Sequence, residues 1–163
     1  MRPSERLANL EQVLNLLYET LTEAQNRLAI TESIFARTAI KQRIRQEILP
    51  DIRQFEAEYW QLLAQQARST TVAEADASNA IIEVESQVVQ LMSNTSYPDQ
   101  LMRLLEEIRN QLNQPENPAA AKAKLALNLI PGILSYEVEL NTITALKNVF
   151  QPIRNLFREA HPN

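Results

Sequence analysis

The sequence predicts an all-α protein: a long antiparallel, coiled-coil-like helical hairpin over residues 1–68, followed by a smaller helical bundle over 69–163. Three observations carry this. The chain of 163 residues holds one glycine, where average usage of ~7% would give about eleven. Leu7, Leu10, Leu14, Leu17, Leu21, Ala24 and Leu28 recur at alternating spacings of three and four, the apolar seam of a coiled coil. The breaks between periodic segments are built from Pro, Asn, Ser, Thr and Asp, which lock φ or bond their own backbone and so punctuate helices.

The first helix is expected over residues 4–29, with Ser4 as its N-cap. The pattern falters at Ile30–Ser33, where Thr31 and Ser33 both offer caps for the next helix. A second periodic segment runs from Ser33 to Gln66 on Ile40, Ile44, Ile48, Ile52, Phe55, Tyr59 and Leu62. Pro50 lies inside it. Proline lacks a backbone donor and clashes with the preceding turn, so a single kinked helix is predicted. A short turn then makes antiparallel packing natural. Folding back around residue 32 would bring Glu23 to Lys41 and Glu19 to Arg45, flanking charges that set register.

The rest reads as shorter helices. Thr71 and Glu74 have capping-box spacing, ahead of a helix over 72–92 whose wide apolar face predicts more than one neighbour. Pro98 suits a first helical position, before a helix on Leu101, Leu104, Leu105, Ile108 and Leu112. Asn117-Pro118 opens a helix over 118–130, which Pro131-Gly132 should end. Residues 135–140 alternate with a period of two, which leaves an extended segment or a helix start open. A last helix over 142–160 should bend at Pro152. The hairpin alone buries little surface, so the two regions are expected to touch.

Composition excludes several chemistries. Phosphate loops and dinucleotide fingerprints need several clustered glycines. With no cysteine, disulfides, thiol catalysis and cysteine zinc sites are out. The one histidine, His161, sits third from the C-terminus and has no glutamate three residues before it, so a bundle di-metal site is not expected. A net charge of −4 does not favour nucleic acid or anionic lipid. No apolar run reaches the ~20 residues of a membrane span, and the N-terminus does not read as a signal peptide. The expectation is a cytoplasmic, non-enzymatic protein without metal or cofactor.

Residues 10–65, with LNLLYETLTEAQNRLAI followed by KQRIRQEILPDIRQFEAEYWQLL, resemble the helical-hairpin effector-associated domains of cyanobacterial multidomain proteins. Those carry STAND-type NTPases or caspase-like and trypsin-like proteases. The resemblance implies an adaptor working through helix contacts, in a bacterial signalling or defence complex, and no catalytic residue here. No nucleotide-binding or protease motif accompanies the hairpin, a departure from the multidomain arrangement. Residues 97–157, with PAAAKAKLALNLIPGILSYEVEL, resemble a tail found in similar bacterial proteins.

The expected partner is another helical protein or a second copy. Candidate partner-binding residues are Arg37, Lys41 and Arg45, one stripe at i, i+4, i+8; Tyr59 and Trp60, core aromatics or anchors; and Phe150 and Phe157. The alternative is a membrane-active bundle that exposes LALNLIPGIL (residues 125–134) or the Phe150–Phe157 face when triggered.

Overall fold

The computed structural model describes residues 2–93, 97–136 and 140–158. The fold is all-α, with no strand among those residues. Helix α1 (Pro3–Ile30) runs straight through the leucine seam. Leu7, Leu10, Leu14, Leu21 and Ala24 are buried, and α1 packs chiefly on α3 (Leu49–Ala67). Its N-cap is Arg2, with Pro3 in the first turn, rather than Ser4. Proline there costs no hydrogen bond, because first-turn donors lack helical partners anyway.

The second arm of the hairpin is one continuous helical path of 34 residues. It comprises α2 (Ile34–Arg43), a π turn (Ile44–Ile48) and α3. Ser33 caps α2, accepting from the Ala36 amide. The π turn is the physical form of the predicted kink. Pro50 has no amide to donate and its ring needs room from the turn before it. Widening that turn resolves both, and the Leu49 amide reaches back to the Ile44 carbonyl.

Folding around residue 32 does occur, but the expected ion pairs do not. Among the described residues, ion pairs join neither Glu23 to Lys41 nor Glu19 to Arg45. The reason lies in the seam itself. With Leu14 and Leu21 at heptad position a, Glu19 falls at f and Glu23 at c. Those positions face away from the partner helix; only e and g flank it.

The bundle is formed by α4 (Glu74–Met92), α5 (Asp99–Leu112), α6 (Ala119–Ala126), α7 (Ile130–Leu134), α8 (Leu140–Val149) and α9 (Gln151–Arg158). As its wide apolar face predicts, α4 touches α5, α6, α8 and α9. The N-cap of α4 is Ala73 rather than Thr71. Glu74 instead accepts from the amides of Ala119 and Ala120, the latter at 3.1 Å, and so caps α6 from across the bundle. A carboxylate at a helix N-terminus also meets the positive end of its dipole.

Pro131-Gly132 does not end a helix; both residues lie inside α7. The predicted helix over 118–130 is therefore two, joined by a turn at 127–129. The predicted helix over 142–160 also divides, into α8 and α9, and Pro152 occupies the second position of α9. Of the segment 135–140, residues 137–139 lie outside the described residues, as does Ala160.

Hairpin and bundle share one core. Leu7, Leu10, Leu14, Trp60 and Leu63 form a single cluster with Leu101, Leu105, Ile108, Ile130 and Phe157. A smaller cluster of Leu21, Ala24, Ile44, Ile48, Ile52 and Ile143 closes the root of the hairpin. Beyond it, among the described residues, no further buried layer supports the hairpin. α2 buries no residue. Ile34 lies ten residues from Ile44, so the arm projects roughly 15 Å beyond the last buried layer.

Gly132 is exposed, its φ is not positive, and a Cβ there would meet nothing within 4 Å. Gly132→Ala should therefore stabilise the fold by about 0.5–1 kcal/mol, through lower backbone entropy of the unfolded chain. Urea denaturation measures this; a loss of stability would show that the glycine is required.

Candidate functional site

Two regions stand apart from ordinary core and surface. One is a polar junction buried where α1, α3, α8 and α9 meet. The helical register of α3 puts Glu56, Tyr59 and Trp60 on its inward side, and all three are buried. The Glu56 carboxylate accepts from the Tyr18 hydroxyl at 3.1 Å and from the Trp60 indole N–H at 2.9 Å. Tyr59 donates its hydroxyl to Glu11 at 2.7 Å and accepts from Arg154 Nε at 3.2 Å. Arg154 also pairs with Glu11 at 3.4 Å and lies 4.5 Å from the centre of the Tyr59 ring. Arg158 reaches the same Glu11 oxygen at 3.7 Å. Lys147 Nζ sits 3.8 Å from the centre of the Tyr18 ring.

Burial holds the Glu56 carboxyl above its ordinary value, against the pull of Arg154, the two hydrogen bonds and Lys147. Burial likewise raises the Tyr18 and Tyr59 hydroxyls, with Glu56 and Glu11 adding to the effect. Lys147 is pushed down, first by burial and then by Arg154, while Glu56 opposes. Burial works against the Arg154 charge too, but Tyr59, Glu56 and Glu11 outweigh it. Each charged group thus has an opposite charge or a hydrogen bond, as a buried polar cluster requires. Glu56 itself is fully buried, while Glu11, Tyr59 and Arg158 line a small cleft of ≈ 150 Å³ at the edge of the junction.

The second region is the free end of the hairpin. Ile30, Ile34 and Phe35 are 81%, 77% and 89% exposed, the three most exposed large apolar side chains of the described residues. They sit together around the turn between α1 and α2. The turn is held from within. Arg37 donates to the carbonyls of Leu28 at 2.6 Å and Thr31 at 3.0 Å, satisfying acceptors that the end of α1 leaves open. Lys41 and Arg45 are exposed and make no ion pair among the described residues. Arg43 pairs with Glu47.

The predicted site residues therefore divide. Arg37 is spent on the turn, while Lys41 on α2 and Arg45 in the π turn remain available. Tyr59, Trp60, Phe150 and Phe157 lie in the core, none more than 1% exposed, so of the two readings of the aromatic pair the core one describes this fold. Their ring area is needed to close the junction between hairpin and bundle. The same holds for most of residues 125–134. Ala126, Leu127, Ile130, Pro131, Ile133 and Leu134 are buried, with Leu125 exposed. Sequence reasoning missed Ile30, Ile34 and Phe35. The available signal was an apolar trio at a turn, outside the seam.

An open cleft between α4 and α9 has a volume of ≈ 560 Å³. Its carboxylates, Asp76 and Glu83, are both exposed, and neither histidine nor lysine lines it. Among the described residues, no three His, Cys, Asp or Glu side chains are placed to hold a metal. Comparison with family models, with curated proteins and with solved structures gives no match. The functional reading accordingly rests on geometry.

Two measurements test the junction. In the unfolded chain Glu56 titrates near 4.5, and in the folded chain above it. Its contribution to stability is complete below the unfolded value and is lost as pH rises through the folded one. Stability of Glu56→Gln relative to the wild type should thus increase between about pH 5 and about pH 8. Denaturant titrations at both pH values show it; a constant difference would contradict the burial effect.

Arg154→Met should cost about 3–5 kcal/mol, because Glu56 and Glu11 lose a buried counter-charge. The same change made in Glu56→Leu should cost less. Equal costs in the two backgrounds would mean that Arg154 and Glu56 do not interact.

Proposed function

We propose that this chain is a non-enzymatic helical adaptor, a rigid bundle that presents the end of its hairpin as a contact surface. The observation that carries the reading is the arm. α2 contributes nothing to the core, yet it is an ordered, capped helix with Ile34 and Phe35 in its first turn facing solvent. Exposing large apolar side chains together invites association, so such a patch marks a contact site.

Two further points support the adaptor role. The buried charged groups of the junction, Glu56 and Arg154, are matched by partners within the fold. The carboxylates of the cleft between α4 and α9, Asp76 and Glu83, are both exposed. The resemblance of residues 10–65 to effector-associated hairpins supports placing the adaptor in a bacterial signalling or defence complex.

A photo-crosslinking residue placed at Phe35 tests the reading in cells that naturally make the protein. Adducts are expected at 35 and not at the exposed control position Gln61 on α3. Equal labelling at the two positions, or none at either, would overturn it. Phe35→Ser should leave folding stability within about 0.5 kcal/mol, as an exposed position away from the core, so any lost adduct or binding is not lost folding.

A further inference from the structure

Ile30, Ile34 and Phe35 sit on the convex end of a two-helix arm. Three side chains there offer a few hundred Å² of apolar surface, against the roughly 800 Å² per partner of a standard protein interface. An α-helix that docks in a protein groove repeats its anchors at i, i+3 or i+4, and i+7. α2 does not. After Phe35 its exposed positions are Ala36, Thr38, Ala39, Lys41, Gln42 and Arg43, with no second large apolar anchor. A bilayer has no such requirement, because the headgroup region surrounds a convex tip on all sides.

Charge points the same way. Ile34, Thr38, Lys41 and Arg45 follow at i, i+4, i+7 and i+11, so they share one stripe of the helical path. The stripe is apolar at the tip and basic above it. Lys41 lies seven residues from Ile34, roughly 10 Å along the axis. That matches the depth over which an interfacial element buries its apolar part below the headgroups, about 5–10 Å. Arg27, exposed in the last turn of α1, stands on the other side of the turn. Of the acidic residues of the arm, Glu19 and Glu23 lie on the outer face of α1; Glu32 is exposed in the turn itself, where Arg27, Arg37, Lys41 and Arg45 outnumber it. A second copy is a poor occupant of the tip, since both arms would bring the same basic stripe.

We propose that the tip of the hairpin docks on an anionic lipid surface, with Ile30, Ile34 and Phe35 entering the headgroup–acyl boundary and Lys41 and Arg45 meeting lipid phosphates. This rests on the reading of the arm as the contact element and names what it contacts. No helix among the described residues is long and apolar enough to cross a membrane, so the contact is peripheral. The basic stripe makes it dependent on anionic lipid and on ionic strength.

Co-sedimentation of the full chain with vesicles tests the proposal, using phosphatidylcholine alone or with phosphatidylglycerol as the minor component. Binding is expected to the mixed vesicles, to be weak on phosphatidylcholine, and to fall as salt is raised. The double variants Ile34→Ser/Phe35→Ser and Lys41→Glu/Arg45→Glu should each weaken binding at least about ten-fold. An environment-sensitive fluorophore at residue 35 should shift to the blue on mixed vesicles. These positions lie outside the core, and far-UV circular dichroism with a thermal melt confirms that both variants fold. Absent binding, or binding that both variants retain, overturns the lipid assignment. If the crosslinker at 35 then captures a protein, the arm stands as a contact element with an acidic protein as its partner. If it captures nothing, the adaptor reading falls as well.

Discussion

The fold depends on the Arg154 guanidinium finding its partners. It is 95 residues from Tyr59 in the chain and still further from Glu11, yet it bonds or pairs with both. A buried cation is costly unless it is matched. Docking α9 in any other register would leave Arg154, Glu11 and Glu56 without compensation. Apolar contacts around them, such as Leu10, Phe150 and Phe157, supply the driving force but are tolerant of sliding. The polar junction is not tolerant. In this protein it selects one arrangement of bundle against hairpin, which is the role best attested for buried polar groups.

Fixing that end of the hairpin leaves the other end free. The junction and the main core clamp the lower two-thirds of α1 and α3. The second cluster, in which Ile143 from α8 joins Leu21 and Ile48, closes the root of the arm. No bundle element among the described residues reaches farther. The helices nevertheless continue, because their own seam supports them: Leu28 and Ile40 are half-buried against the opposite helix. Arg37 then locks the turn. The π turn belongs to the same design. It absorbs Pro50 just where the path enters the core, so that Ile44 and Ile48 face inward while Lys41 and Arg45 stay outside.

Elements with strong local periodicity were legible in the sequence. The leucine seam predicted α1 almost to the residue, and Pro50 predicted a continuous but disturbed partner. Features that depend on distant residues were not legible. Glu74 caps α6 rather than its own helix, because Ala119 is brought to it by the fold. For Tyr59 and Trp60 the core reading led without being decisive, since nothing local says that Glu56 and Arg154 will sit beside them. Glu19 and Glu23 are the instructive case: heptad position alone sends them outward, and the leucine seam is enough to assign that position. Gly132 taught the opposite lesson. Beside Pro131 it read as the end of a helix, whereas the structure puts both residues inside α7.

Net charge also says less than its placement. The whole chain is acidic, at −4, and that figure argued against an anionic surface. The arm separates what the sum cancels. Heptad geometry turns Glu19 and Glu23 to the outer face of α1. The 3.6-residue repeat lines up Lys41 and Arg45 above Ile34 on the other helix. A Debye length near 10 Å at ordinary ionic strength means that a surface touching the tip senses these charges, with Glu32 and Arg37 at the turn, and little of the acidic bundle behind them. An acidic protein can therefore carry a basic, apolar tip, provided that the tip stands far enough from its body. The roughly 15 Å of free hairpin supplies that distance.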